Sequence, residues 1–328
     1  MKVSVIIAAT SHENLEEVIR RLKNQTKKPC EIIVVDNSQN EKESEKIEKV
    51  VKNLGVRYLR EEKEGLHNAR NRGVLESEGE IVQFIDDDAL AERNLVEEIS
   101  KQYKSEDIAA VGGKVIPIFK TKPPKFFKYL KYQYLSILDY GNEIKEVEEL
   151  NGNNMSFRKD IYIKVGGANP DSFQTFNKIF LRGDGESGLF RKIRNLGKKI
   201  IFTPYAVVYH VIPERRFSLE YLRKKAFGHG IQMSYSKFFG GNFPPNHILL
   251  LRSNAFFVLF ILNKILGKII PHDLKVRYDV WAETMKARWL YELKLIFDKN
   301  LREHVRKTNW IDEIIIRKEE INKEKEDK

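Results

Sequence analysis

Cysteine is almost missing: Cys30 is the single one in 328 residues. That excludes a disulfide framework within the chain and a zinc site built on cysteines, and it fits a reducing compartment. Long apolar runs are missing too. The run at residues 3–8 stops at Thr10, Ser11 and His12, shorter than the roughly 7–15 residues of a secretory core, so no signal peptide is expected. The most apolar stretch, 248–270, is interrupted by Arg252, Lys264 and Lys268, and its clean part covers only 255–262. A membrane span needs about 20 residues. Residues 8–14 hold neither glycine nor lysine, which argues against the phosphate loop a nucleotidyltransferase would carry after its first strand. There is no internal repeat and no low-complexity tract.

What is present is globular in kind: 41% hydrophobic and 11% aromatic residues exclude a disordered chain. The net charge of +11 is unevenly spread. Residues 1–120 carry 20 Lys and Arg against 23 Asp and Glu, whereas residues 205–310 carry 18 against 8. An acidic first part and a basic, aromatic-rich second part point to an anionic partner for the second, unless that charge is only a solvated surface. Nucleic acid, an anionic lipid surface and a phosphate-bearing substrate all qualify.

Strand and helix signals alternate through the first 115 residues. β-Branched runs at 3–8 and 32–35, a short one at 56–59, and runs at 81–85 and 108–115 read as strands. Helical spacing at 15–22, a charged segment up to 50, and segments 67–75 and 95–103 fill the gaps. This order predicts a parallel sheet with right-handed crossovers, with ligands beyond the carboxyl ends of its strands. Pro117, Pro123 and Pro124 break the pattern, and 126–140 reads as a helix or lid. Residues 151–167 and 183–210 form a second block against the same sheet. Residues 219–239 are an amphipathic helix candidate.

The sharpest chemical signal is Asp86-Asp87-Asp88 at the end of the 82–85 run. Three adjacent carboxylates repel one another, and in extended backbone Asp86 and Asp88 project to one side. That suits Mg²⁺ or Mn²⁺, hard cations that take oxygen ligands and share them with a diphosphate. The competing reading is a strand end with exposed acids. Asp36 closes the second strand; read alone it is a turn acid, although an acid there can accept from a ribose. In Gly65–Gly73, Arg70 and Arg72 follow a glycine turn at a helix start, favourable for phosphate or base contacts. A solvated helix is the alternative.

Taken in order, these segments resemble the family 2 inverting glycosyltransferases. The likeness runs through Val3-Ser4-Val5-Ile6-Ile7, Val34-Val35-Asp36-Asn37-Ser38, Ala69-Arg70-Asn71-Arg72-Gly73 and Phe84-Ile85-Asp86-Asp87-Asp88. It continues through Asn151-Gly152-Asn153-Asn154 and Gly183-Asp184-Gly185-Glu186 and ends at Val208-Tyr209-His210. The resemblance implies an α/β fold of GT-A type, a mostly parallel sheet flanked by helices, with a helical C-terminal region. Its divisions would be a nucleotide-sugar-binding half at 1–116, an acceptor-side half at 117–212, a basic helical region at 213–316 and a charged tail at 317–328.

Residue by residue, the resemblance implies that Ala8, Thr10, Asp36, Arg70, Asp86 and Asp87 meet the nucleotide sugar. Asp88, Asp86 and His210 would hold the cation, and His210 also reads as a strand-closing core histidine. Gly152 and Asn154 would lie on the acceptor side. Two departures stand out. The first strand ends Ala8-Ala9-Thr10-Ser11 where the family commonly has Pro-Thr-Tyr-Asn, so the aromatic that packs on the base is missing. The family's Glu-Asp pair is replaced by Asp184-Gly185-Glu186, which leaves both acids as candidates for the base, Glu186 before Asp184. The expected function is metal-dependent, inverting transfer of a hexose from a nucleotide-diphosphate sugar to a hydroxyl of a saccharide or lipid-linked acceptor. A nucleotidyltransferase-like or non-catalytic nucleotide-sugar-binding protein is the alternative. Nucleic acid is not expected as a partner, since it leaves the acid triplet unexplained. The basic region, with Phe256, Phe257, Phe260 and Leu262 among its cations, reads either as an interfacial helix on an anionic membrane or as a core helix. The expected location is the cytoplasm, peripheral to the membrane.

Overall fold

Alternation along the first strand sets the layers. In β1 (Val3–Ala9), Val3, Val5, Ile7 and Ala9 enter one apolar cluster while Ile6 and Ala8 enter another, so both faces of the strand are covered. The computed structural model describes residues 1–130, 134–171, 176–312 and 314–316. The charged tail expected at 317–328 lies outside these, as does part of the 126–140 stretch.

After β1 come α1 (Leu15–Lys23), β2 (Glu31–Asp36), α2 (Glu41–Asn53), β3 (Arg57–Arg60), α3 (Leu66–Glu76) and β4 (Ile81–Asp86). The short β5 (Ala89–Ala91), α4 (Leu95–Gln102) and β6 (Ile108–Phe119) follow. Then come β7 (Lys145–Glu146), β8 (Met155–Arg158), α5 (Lys159–Lys164), α6 (Gly185–Asn195) and β9 (Lys199–Ile212). The chain continues into α7 (Leu219–Phe238), α8 (Asn246–Ile269), α9 (His272–Phe297) and α10 (Lys299–Arg306).

The strands form one sheet in the order β3-β2-β1-β4-β8-β6-β9-β5, with β7 added to β9. β3, β2, β1 and β4 are parallel, as the alternation of signals predicts. β8 runs antiparallel between β4 and β6, which makes the whole sheet mixed. Helices α1, α2 and α4 cover one face and α3, α5 and α6 the other. The parallel register sets Ala8 beside Asp86 and Ala9 beside Asp36, so these residues meet at the carboxyl edge of the sheet.

Two irregularities shape that edge. β6 runs on past Pro117, where the sequence suggests a break. Val115 donates its N–H to Leu138, away from β9, and Pro117, two residues on, has its missing N–H on that same side. In β9, residues 204–206 bulge out between the Gly113–Thr203 and Lys114–Val207 pairs. Gly113 makes room, because a Cβ there would lie 1.9 Å from the Ala206 carbonyl oxygen.

The C-terminal helices have cores of their own. Phe227, Ile231 and Tyr235 of α7 pack with Ala287, Tyr291 and Leu295 of α9 and Leu301 of α10. A second cluster joins Leu222 and Ala226 of α7 and Val276 and Val280 of α9 to Ile212 at the end of β9. Ser218 caps α7 by accepting from the Tyr221 N–H at 3.1 Å. α8 packs along α9, yet most of its surface is open. Leu251, Val258 and Ile269 are 65%, 54% and 75% exposed. Arg252 and Lys264, which interrupt the apolar stretch in sequence, turn inward and pair with Glu292 and with Asp279 and Glu283 of α9. Among the described residues α8 is the one helix long and apolar enough to cross a membrane.

Candidate active site

A cavity of about 550 Å³ opens at the carboxyl edge of the sheet. Its floor is the end of β1, β4 and the Asp86–Asp88 turn. Its far wall comes from α7 and the start of α6.

Arg70 lies at the centre, 1% exposed, on α3. Its Nη2 donates to Asp86 Oδ1 at 2.7 Å and to the Gly152 carbonyl at 2.9 Å, and its Nη1 reaches Glu186 Oε2 at 3.4 Å. The guanidinium also lies over the Phe84 ring, 5.4 Å from its centroid. Burial alone would disfavour its charge, but Asp86 and Glu186 more than offset that and hold its pKa up. The neighbouring Asn71 is structural: it donates to the Ala168 carbonyl, and its oxygen accepts from the Ala168 N–H and from Tyr162. Arg72 turns away to Glu76.

The three adjacent acids part company. Asp86 pairs with Arg70. Asp87 accepts the backbone N–H groups of Thr10 and Ser11 at 2.7 and 2.8 Å, which fixes the loop after β1. Burial and the charge of Asp88 raise the Asp87 carboxyl to about 7. Asp88 accepts from Arg216 at 2.7 Å and lies 3.5 Å from His210 Nε2. Burial opposes its ionisation, but His210, Arg216 and Arg215 outweigh that and hold it below the usual carboxylate range. Arg216 Nη1 is also 2.7 Å from His210 Nε2. A guanidinium only donates, so that nitrogen accepts and its one lone pair is taken up by Arg216.

Among the described residues no three His, Cys, Asp or Glu side chains gather closely enough to hold an ion by themselves. Asp88 lines the cavity floor, and the buried His210 ring lies 3.5 Å from it, with Arg216 donating to both. An oxygen and an imidazole nitrogen suit a divalent cation that displaces Arg216 and takes its remaining ligands from a diphosphate and water. Asp86, expected beside them, is held by Arg70 instead.

The two candidate bases differ. Asp184 is fully buried: Asn169 donates to one oxygen, and Arg191 and Ser236 donate to the other. Glu186 opens onto the cavity, two residues on, because Gly185 turns the chain with φ of +51°. Enclosure by protein raises its carboxyl to about 7, with Arg70 opposing that shift and Asp171 and Asp86 adding to it. His67 Nε2 is 3.8 Å away. That ring is fully buried, and burial together with the charge of Arg70 keeps it neutral.

Of the other residues singled out in the sequence, Ala8, Thr10 and Gly152 line the cavity. Asp36 does not. It is fully buried and accepts from Ser38, Tyr58, Ser44 and Arg60, while the next residue, Asn37, reaches the lining. Asn154 is buried as well, and donates to the Lys114 and Ala206 carbonyls, stapling the β9 bulge. Arg216, Arg182 and Lys225 line the cavity without having been anticipated. Arg216 follows His210 by six residues in a double arginine, the one local clue available; the other two come from separate segments.

Comparison with known proteins agrees with this geometry. The model of the family "Glycosyl transferase family 2" matches residues 4–166. The glucosyl-dolichyl phosphate glucuronosyltransferase of Haloferax volcanii is 28% identical over 245 residues, 72% of this chain and 76% of that protein. The dolichol-phosphate mannosyltransferase of Pyrococcus furiosus is 26% identical over 190 residues, 56% of this chain and 53% of the relative. The crystal structure of GalNAc-T7 with UDP, GalNAc and Mn²⁺ superimposes with a TM-score of 0.50 at 17% identity, over 69% of this chain and 48% of that one, a likeness of fold. With four parallel strands, an acid-tipped fourth strand and the family match over the same residues, the chain carries a glycosyl transferase family 2 domain at residues 4–166, with the GT-A fold.

Proposed function

We propose that this glycosyltransferase moves a sugar from a nucleotide-diphosphate donor to a hydroxyl of a lipid-linked acceptor, with inversion, and that Glu186 is its base. One observation carries the reading: a single cavity holds the Asp86–Asp88 edge and Glu186 on either side of buried Arg70. Inversion in one step needs a leaving-group site and a base on opposite sides of the anomeric carbon. Arg70 orients both Asp86 and Glu186. Glu186, near neutrality, takes the acceptor proton, while Asp184 has no free oxygen for that task. Asp88 and His210 would hold Mg²⁺ or Mn²⁺, which when bound offsets charge on the diphosphate. In this reading β1–β6 serve the donor, the segment up to β9 serves the acceptor, and Ala8 and Thr10 lie under the nucleotide. The relatives named for dolichyl phosphate favour a lipid-linked acceptor.

The outer face of α8 supports a membrane location. At about 1.5 Å per residue its 24 residues are about 36 Å long. Its two central cations pair inside, which leaves lipid-compatible side chains outside. The basic surface around it suits the anionic cytoplasmic leaflet. The test of the activity is a panel of nucleotide sugars scored for release of nucleoside diphosphate, with and without a prenyl-phosphate-linked sugar. Release that needs Mg²⁺ or Mn²⁺ and rises with the acceptor is the expected result. Full turnover in excess EDTA would refute the metal, and no release with any donor would refute the transferase.

A further inference from the structure

The cavity holds more positive charge than its described role uses. Arg70 is engaged by Asp86, Gly152 and Glu186, and Arg216 by Asp88 and His210. Two further cations, Arg182 and Lys225, line the α7 side. Arg182 touches Asp171 through Nε at 2.8 Å and is 16% exposed. Its Nη1 end lies against α7 at Gly228, where a Cβ would come within 2.6 Å of it. Lys225, three residues earlier on the same helix, faces the cavity and pairs with no described carboxylate; its ammonium lies over the Tyr221 ring, 5.6 Å from the centroid. His229 and Gln232 continue this lining face of α7.

We propose that Lys225 and Arg182, beside His229, form a phosphate seat on the acceptor side of the cavity, one that recognises a phosphate carried by the acceptor. A lysine held among arginines without a counter-ion lacks an anion. Burial and the charges of Arg182 and Arg216 pull its pKa down to about 8, and Asp171 and Asp86 oppose them without closing the gap. An oxyanion between Lys225 and Arg182 supplies the missing charge and takes N–H donors from both. The smallness of Gly228 is what lets the Arg182 head lie flat against the helix beside Lys225. On the transferase reading a donor diphosphate would be met on the floor through a cation held at Asp88, so the α7 cations are left for the other substrate. The inference rests on the transferase reading above and names the class of its acceptor.

The test is isothermal titration of the full chain in EDTA, with a ten-carbon prenyl phosphate and the corresponding alcohol as probes. The phosphate should bind at least about ten-fold more tightly than the alcohol, the scale of one charge-assisted hydrogen bond. Lys225→Gln and Arg182→Gln should each lose about ten-fold, and Lys225→Arg should recover most of it. Gly228→Ala, which removes no charge, should weaken binding by displacing Arg182. Unfolding midpoints identify any variant that fails only by misfolding. Equal binding of phosphate and alcohol, or unchanged affinity in both glutamine variants, overturns the seat. Loss of Mn²⁺-dependent nucleoside diphosphate binding in those variants, with prenyl phosphate unaffected, shows that the cations serve the donor and overturns the acceptor assignment. Donor cleavage by the wild-type chain is scored separately, so failure of the transferase reading is distinguishable from failure of the seat.

Discussion

Asn169, Arg191 and Ser236 occupy the Asp184 carboxylate, whereas Glu186 meets Arg70 and open cavity. Amide substitutions should therefore have opposite signatures. Glu186→Gln is expected to lower turnover by roughly 10²–10⁴-fold, the usual effect of removing a general base, with donor affinity near normal. Asp184→Asn is expected to cost about 1–3 kcal/mol of stability by leaving buried donors poorly matched; urea midpoints check it. A stable but inactive Asp184→Asn beside an active Glu186→Gln would reverse the roles. Proton linkage adds a second signature. Glu186 has its pKa raised from about 4.5 to about 7, so between those values the folded state binds more protons than the unfolded one. The stability this contributes is present at low pH and lost as pH rises through 7. Activity runs the other way, rising as the base deprotonates. Titrating both kcat/KM and stability from pH 5 to 9 should show the crossing trends, and Glu186→Gln should flatten its part of the stability slope. The acid triplet was legible because its three charges are adjacent in sequence. The division of labour among them was not, since it depends on Thr10, Arg70 and Arg216 arriving from distant segments. The partners of Asp36 were not legible for the same reason: read alone it is a turn acid, and Tyr58, Ser44 and Arg60 reach it from other segments.

Helices and parallel strands of the first 115 residues follow from local periodicity, which survives folding almost unchanged. β8 could not be read that way. Its insertion between β4 and β6 pairs residues far apart in sequence and leaves no periodic trace. The β9 bulge is similarly non-local, although Gly112-Gly113 marks where a backbone must pass closely. Because the atom opposing a Gly113 side chain is backbone, at 1.9 Å, relaxation is costly. Gly113→Ala should destabilise by about 3 kcal/mol or more, at or above the upper end of the usual overpacking range. Chemical denaturation measures this directly; a loss under about 1 kcal/mol would mean that the bulge yields easily.

At the scale of the molecule, acidic and basic regions meet across the cavity, and the open flank of α8 lies on the basic side. The chain is expected to float with anionic vesicles but not neutral ones, and to be released by salt. Replacing both Leu251 and Val258 with glutamate should abolish flotation while nucleotide binding stays unchanged. Failure of the wild-type chain to bind either vesicle would remove the membrane from the account. The inward pairing of Arg252 and Lys264 has a consequence for biosynthesis. When α8 first emerges from the ribosome its partners Asp279, Glu283 and Glu292 still lie inside the exit tunnel, so the nascent helix displays two uncompensated cations. Only when α9 emerges and folds back are Arg252 and Lys264 drawn off the apolar surface of α8. If α8 docks on lipid as proposed, its docking side is completed only after every strand of the sheet, since all of them precede α8 in the chain.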